Sequence, residues 1–394
     1  MTDRGTPGAP ATGGPGLRLL RLVAFVSTLD RFAMPPMLLT ISRHLHVPVA
    51  AVVAAAGAYY LAYGLMQPVW GVVSDRIGTV RTIRITLLCA AVATSLAATA
   101  QSVVWLTVTR ALAGAGFGAA IPGSLVYIGD TVPPGRRQRD VTGLMSGVAL
   151  GTTVATGGAG LLASAVSWRW PFLITATLTV ALLPALWRMS PRTRSAGGTV
   201  LGPLRLVLTD RAALLVLAVA FVEGAVILGT LTFLPPALES TGLSTSVAGA
   251  VTAVYGLTVL ATAPLAGRLS TRLSGATLIG VGAVALSAAC GLVWAALLPA
   301  FAVGGCLLLG VAWAFLHSTL QTWATEVVPA ARAMAVSLFA GSLFAGSAVA
   351  SALGGGPAGQ GRYPAIFLAA LVASVPLGLA AAVGRLRWRP ARQP

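Results

Sequence analysis

From Leu17 almost to its C-terminal end the chain is built of apolar runs roughly 20 residues long, and few folds accept that pattern. A helix rises about 1.5 Å per residue, so such a run crosses the roughly 30 Å hydrocarbon core of a bilayer once. The runs fall near 17–39, 50–72, 83–100, 103–128, 141–166, 170–187, 212–236, 246–268, 276–298, 302–326, 335–355 and 363–384. Among 394 residues 56% are apolar and only 9% charged, too little polar surface to clothe a water-soluble globule of this size. Barrel strands are excluded, because alternation of period two is absent and the runs are about twice a barrel strand's length. The predicted fold class is an all-α polytopic membrane protein with 12 transmembrane helices.

The net charge of +17 invites a nucleic-acid reading, but its placement argues against one. All 26 cationic residues are arginines, and 21 of them lie in, or at the span ends that border, the N-terminal tail, the C-terminal tail and the 2/3, 4/5, 6/7, 8/9 and 10/11 connections. The remaining connections hold Arg43, Arg169 and Arg362, while Arg31 and Arg110 fall inside spans. This is the positive-inside pattern, and it places both termini in the cytoplasm and the protein in the plasma (cytoplasmic) membrane. The basic tail Arg385-Leu-Arg387-Trp-Arg389 reads as a topology signal and an anionic-lipid contact. Cys89, Cys290 and Cys306 each lie in an apolar run, without CxxC spacing or a neighbouring histidine, and are expected to be small buried packing residues. No cofactor or metal is expected. Residues 1–16, rich in Gly and Pro, are predicted to be a disordered cytoplasmic tail. The run that follows is interrupted by Asp30-Arg31 and lacks a small-x-small cleavage site, so it reads as a membrane helix rather than a signal peptide.

An internal repeat organises the twelve runs. Asp130-Thr-Val-Pro133 followed by Arg136 recurs as Glu326-Val-Val-Pro329 followed by Arg332, an offset of 196 residues. At the same offset Pro68 meets Pro264, Gly71 meets Gly267, Arg76 meets Arg272 and Gly114 meets Gly310. A recurring acidic-proline-basic turn explains one copy but not the shared register. The chain therefore divides into a six-helix bundle over 17–187, a connection over 188–211, a second six-helix bundle over 212–384 and a basic cytoplasmic tail over 385–394.

The 2/3 connection is Gly71-Val-Val-Ser-Asp75-Arg76-Ile-Gly78-Thr-Val-Arg81-Thr-Ile-Arg84. It resembles the loop between helices two and three of major facilitator superfamily transporters, matching at Gly71, Asp75, Arg76 and Gly78 and departing at Thr79, where a basic residue is usual. The resemblance implies two pseudo-symmetric six-helix bundles with a substrate site between them, and a conformational latch at Gly71, Asp75, Arg76, Gly78, Asp130, Arg136, Glu326 and Arg332. In the second repeat Thr271 stands for the acid, so the latch is expected to be stronger in the first half. Span five carries Gly143, Gly147, Gly151 and Ala155 at four-residue spacing, a stripe suited to close helix approach. The resembling antiporters end span five in Gly-Pro-x-x-Gly-Gly; here Gly157-Gly158 remain and the Gly-Pro is replaced.

Ionisable groups inside a membrane are costly and are functional candidates for that reason. Asp30 lies in span one, where drug:proton antiporters often carry a proton-coupling acid, so the resemblance makes it a proton carrier; the bland alternative is an ion pair with Arg31 or Arg110. Glu223 occupies span seven, the repeat partner of span one, and is a second candidate for a proton or a cationic substrate. Arg110 opens an Arg, x, x, x, Gly pattern that resembles the helix-four motif linked to proton transfer. His317 is a candidate relay on a stripe with Trp313 and Gln321, since histidine changes charge near neutral pH. Arg31, Tyr60, Tyr63, Gln67, Tyr255, Trp313 and Gln321 are expected to line an adaptable, partly aromatic cavity.

No Gly-x-x-x-x-Gly-Lys-Ser/Thr loop is present, which argues against ATP coupling, and no connection holds paired carboxylates, a nucleophile with a base, or metal-ligand spacing. The expected activity is secondary transport by alternating access, exporting a small amphipathic compound in exchange for protons. Proton-linked uptake, or efflux of a sugar or other metabolite, is the alternative within the same superfamily, and a non-transporting receptor lies further off. The expected partners are a small-molecule substrate, protons and the lipid bilayer, with the chain acting as a monomer.

Overall fold

A computed structural model of the protein describes residues 15–189 and 201–389. Twelve helices are long and apolar enough to cross a membrane, and no strand occurs among the described residues. In chain order they are Gly16–Leu45, Val49–Ile77, Thr79–Ala98, Val103–Thr131, Gly135–Ala165, Arg169–Trp187, Arg211–Ser240, Thr245–Leu269, Gly275–Ala295, Pro299–Val327, Pro329–Gly359 and Tyr363–Arg387, called here spans one to twelve. Several exceed the predicted runs because polar helix ends continue past the apolar stretch; the eleventh gains its whole first turn and a half in this way. The predicted connection over 188–211 holds a short helix, Leu201–Thr209, whose Val207 packs with Ala213, Val328, Ala331 and Ala335. The rest of that connection between 190 and 200, most of the predicted N-terminal tail and residues 390–394 lie outside the described residues.

Short polar side chains start several helices. Ser102, Asp210, Ser244 and Ser274 each accept a hydrogen bond from a backbone N–H in the first turn, satisfying a donor that has no partner within its helix. Gly78, at φ 91°, is the one residue between spans two and three, a backbone angle that a side chain resists.

Within the first half, span one lies against spans five and six, span two against four, and span three against four and six. In the second half, span nine lies against spans ten and twelve, and span seven against eleven. Span one is central, with 83% of its most apolar window buried, and span twelve peripheral, with 28%. Gly147 and Gly151 of the glycine stripe lie so close to span one that a Cβ would sit 2.8 Å from the Arg21 carbonyl oxygen and 2.7 Å from that of Phe25. The stripe therefore joins two helices of the same half.

The halves meet through spans two and eleven and through spans five and eight. Those contacts run from one end of the spans to their middle. A Cβ added at Gly64 would lie 2.9 Å from both the Gly341 carbonyl oxygen and the Phe344 Cβ, and one at Gly160 would lie 2.7 Å from the Thr245 carbonyl oxygen. At the opposite ends of spans two and eight, Gly71 and Gly267 have no neighbour within 4 Å. The molecule is closed at the end with few arginines and open at the arginine-rich end.

The breaks in helical regularity are distributed with a pattern of their own. Span one is interrupted by a 3₁₀ turn at Pro35–Met37, where two prolines supply no N–H; span four turns irregularly at Gly118 and Ala119. Span seven contains a π-turn at Gly224–Leu228 and span ten another at Trp313–His317. Among the described residues, each remaining span runs as one α-helix, except that span eleven opens with a 3₁₀ turn at Pro329–Ala331. Irregular backbone at membrane depth survives where protein rather than lipid surrounds it, and π-turns gather at functional sites. The four interrupted helices are also those that carry Asp30, Arg31, Arg110, Glu223 and His317.

Candidate functional site

Each half holds one buried pair of a carboxylate and a base, built from the first and fourth helices of that half. In the first half Arg110 reaches from span four to Asp30 of span one. Its Nη1 lies 3.0 Å from Oδ1 and 2.9 Å from Oδ2, and its Nη2 donates to the Asp30 carbonyl oxygen at 3.0 Å. Thr94 of span three donates to the same carboxylate at 3.2 Å. The guanidinium is sandwiched by Tyr59 and Phe172, 4.4 and 4.8 Å from the ring centres. Asp30 and Arg110 are 0% and 1% exposed, so each relies on the other to offset its loss of hydration. The expected choice between Arg31 and Arg110 as partner is resolved by helix geometry. Successive side chains diverge by about 100°, which turns Arg31 away from its own neighbour.

In the second half the Glu223 Oε2 lies 3.3 Å from Nδ1 of His317. Both residues are buried, and Glu223 Oε1 has no hydrogen-bond partner among the described residues. The two side chains sit at π-turns, Glu223 just before that of span seven and His317 closing that of span ten. The His317 ring stacks on Trp313 at a centroid distance of 3.7 Å and lies 5.7 Å from Phe339 of span eleven. Trp313 in turn meets Tyr255 of span eight edge-on at 6.4 Å. This pair, softer than the first, is thus mechanically joined to spans eight and eleven, the two helices that reach across to the other half. Arg110 lies in the first two turns of its span, counted from the arginine-poor end, whereas His317 lies past the middle of the equivalent helix, toward the open end.

Between the pairs lies Arg31, 8% exposed and among aromatic rings from both halves. Its guanidinium carbon is 5.2 Å from the ring centres of Phe32 and Tyr63 and 5.4 Å from that of Phe344. Tyr60 stacks on Phe344 at 6.2 Å, and Tyr63 meets it edge-on at 4.5 Å. Of the expected cavity residues, Arg31, Tyr60, Tyr63, Tyr255 and Trp313 are thereby placed at or beside the boundary between the halves. Gln67 is buried, and neither it nor Gln321 makes a side-chain hydrogen bond among the described residues. The extra residue of the π-turn rotates Gln321 relative to the Trp313–His317 stack that a regular helix would align with it.

At the arginine-rich end Asp75 and Arg76 are exposed and form no ion pair among the described residues, in keeping with the separation of the halves there. Ser74 hydrogen-bonds with Thr79 at 3.0 Å, so the residue that departs from the loop pattern ties the two helix ends together. Arg84 donates to the carbonyl oxygens of Leu186, Trp187 and Met189, capping the end of span six. Glu326 does not pair with Arg332 of its own repeat motif. It takes Arg385 of the C-terminal helix, 2.7 Å away, while Arg332 donates to the Thr325 carbonyl oxygen. The reason is reach: Arg385 projects over Trp323 and Trp388 toward the carboxylate, whereas Arg332 follows the 3₁₀ turn at Pro329–Ala331. Part of the basic tail therefore has an acidic partner within the protein. Sequence reasoning also missed Asp140, which pairs with Arg21 at 3.1 Å, and Phe344; the position of Asp140 at the end of an arginine cluster was the available signal. Cys290 and Cys306 are buried as expected, but Cys89 is exposed on the outer face of span three.

A helical membrane protein of two bundles, joined at one end, parted at the other and holding ionisable groups on its interrupted inner helices, has the architecture of a secondary transporter. The chain belongs to the Major Facilitator Superfamily, whose sequence profile matches residues 20–333 and again 216–394. Multidrug resistance protein D of Escherichia coli K12 is 27% identical over 178 residues, 45% of each chain. An MFS-type efflux pump of Mycolicibacterium smegmatis is 26% identical over 184 residues, 46% of this chain and 43% of that one. The MFS efflux transporter aclA of Aspergillus oryzae is 30% identical over 187 residues, 46% of this chain and 34% of its own length. The matched stretches thus span less than half of these relatives. The nucleoside transporter NupG superposes with a TM-score of 0.77 at 16% identity, covering 93% of this chain and 99% of that one. A bacterial homologue of the human lysosomal transporter Spinster, in an inward-facing and occupied conformation, gives 0.75 at 19%, covering 95% and 98%. These two likenesses show a shared fold. The protein is a multi-pass membrane member of this superfamily.

Proposed function

We propose that the protein is a monomeric, proton-coupled transporter of the plasma membrane that exports a small amphipathic organic compound by alternating access. Both termini and the arginine-rich end lie in the cytoplasm in this reading, so the conformation described is open inward. The excess of arginine on one set of connections supports that orientation. The names of the sequence relatives support export.

The observation that carries the coupling is the Glu223–His317 pair. Asp30 is held by a permanent cation, so taking up a proton there would strand Arg110 without its counter-charge. Glu223 faces a base that can itself gain or lose a proton, and one of its oxygens has no partner. We therefore assign proton exchange to Glu223 with His317, and a positioning role to Asp30 with Arg110. A proton arriving on the pair changes the charge beneath the Trp313–His317 stack, which touches the helices that bridge the halves. The latch residues Asp75 and Arg76 act when the halves close over the cytoplasmic side. The test is transport in proteoliposomes with an imposed proton gradient, using fluorescent dyes of each charge sign. Gradient-driven movement of at least one dye, abolished by a protonophore, supports the reading; movement indifferent to the gradient sinks it.

A further inference from the structure

Arg31 is a permanent cation in the middle of the molecule with no carboxylate to answer it among the described residues. The carboxylate beside it in sequence, Asp30, is taken by Arg110, and the other acid of the centre, Glu223, is taken by His317. Its one hydrogen bond among the described residues is a long one, from Nη2 to the Thr28 hydroxyl at 3.4 Å, and Nε is buried without a partner. Three aromatic rings surround it, and a ring face attracts a cation but does not neutralise it. Buried charges are ordinarily paired, so a guanidinium kept in this state is a group whose counter-charge comes and goes.

The surroundings describe what that counter-charge is attached to. Tyr60, stacked on Phe344, adds a phenol to the ring set around Arg31. Ser27, one turn before Arg31 on the same face of span one, and Ser347, one turn after Phe344 on span eleven, are buried with unpartnered hydroxyl groups. Unpartnered hydroxyls from both halves thus lie within one helical turn of Arg31 or of the Phe344 ring that faces it, while Phe32, Tyr63 and Phe344 offer flat apolar surface. One cation balances one negative charge, which disfavours multiply charged inorganic anions. We infer that Arg31 is the recognition site for an organic monoanion, a carboxylate or sulfonate on a flat apolar body, whose acid group binds the guanidinium while its body lies among the rings of spans one, two and eleven. Because Phe344 belongs to the second half and Arg31 to the first, such a ligand joins the halves across the boundary that alternating access must open and close. The inference rests on the transport reading for its purpose but not for its geometry.

The test is equilibrium binding of three matched probes, 2-naphthoate, 2-naphthamide and 2-naphthylmethylammonium, to the full-length protein purified in a neutral detergent. Naphthoate is expected to bind at least tenfold more tightly than the amide, with the ammonium probe weakest. Arg31→Gln should weaken naphthoate at least tenfold and leave the amide unchanged, with Arg31→Lys intermediate; the melting temperature and elution volume of each variant check its folding. The wild-type ranking decides the matter even where a variant fails to fold. Preference for the ammonium probe, no preference by charge, failure of naphthoate to bind, or full naphthoate affinity in folded Arg31→Gln overturns the inference. Gradient-driven movement of cationic dyes alone would do so while leaving the transport reading standing. Naphthoate binding that depends on Arg31, without gradient-driven transport, would uphold the site and refute the coupling.

Discussion

Replacing Arg110 by Gln offers the sharpest energetic test of how the first half is held together. The substitution removes the two contacts to the Asp30 carboxylate at 2.9 and 3.0 Å and the bond to its backbone carbonyl oxygen, and it leaves a fully buried carboxylate with Thr94 as its remaining donor at 3.2 Å. Breaking a buried pair from one side costs about 3–5 kcal/mol, because a charge is stranded away from water. Asp30→Asn in the same background removes that stranded charge, so the double variant should be more stable than Arg110→Gln alone, and the cycle should show a coupling of about 0.5–3 kcal/mol, the range seen between residues in direct contact. Unfolding free energies of wild type, both single variants and the double variant, from detergent-denaturant titration in mixed micelles, complete the cycle. A loss below about 1 kcal/mol for Arg110→Gln, or a double variant no more stable than that single one, would refute the argument that these charges depend on each other.

Other consequences follow from the same geometry. Gly64→Val adds side-chain atoms where even a Cβ would lie 2.9 Å from Gly341 and Phe344, so it should wedge the joined faces of spans two and eleven apart and favour the opposite conformation. Spin labels on Gly71→Cys and Gly267→Cys, which face open space, should then show a shorter separation at the arginine-rich end; an unchanged separation counts against the two-ended picture. Asp75→Asn should impair transport in vesicles without loss of membrane insertion, and unaltered transport would end the latch role. Arg385→Ala should cost under about 1 kcal/mol of stability, because the Glu326–Arg385 pair is 37% and 20% exposed and solvent screens it. A loss several times larger in the same titration would show that the C-terminal helix is fastened mainly by this contact.

The spans were legible in the sequence because lipid leaves a coarse mark: roughly 20 apolar residues per crossing, with arginines sorted to alternate connections. The buried ionisable groups were legible for the same reason, each standing out against an apolar run. Their pairing was not. Asp30 has arginines at positions 31 and 110, and nothing in the order of residues says that the distant one wins. Glu223 and His317, 94 residues apart, lacked any shared motif, and the π-turns that bring them together have no simple sequence signature, unlike the paired prolines that interrupt span one. The repeat marked Glu326 and Arg332 as latch residues but gave no sign of Arg385, which lies beyond the repeated motif and is the residue that pairs with Glu326. Phe344, which closes the aromatic ring set around Arg31, resembled any other lipid-facing phenylalanine until the two halves were placed together.

The claim on which the mechanism turns is that Glu223, and not Asp30, exchanges the proton. It is tested most directly by Glu223→Gln in proteoliposomes, comparing dye movement driven by an imposed proton gradient with gradient-free exchange of the same dye. Gradient-driven accumulation lost at least tenfold, with exchange retained, is the expected result. Full gradient-driven accumulation in folded Glu223→Gln protein would contradict the account.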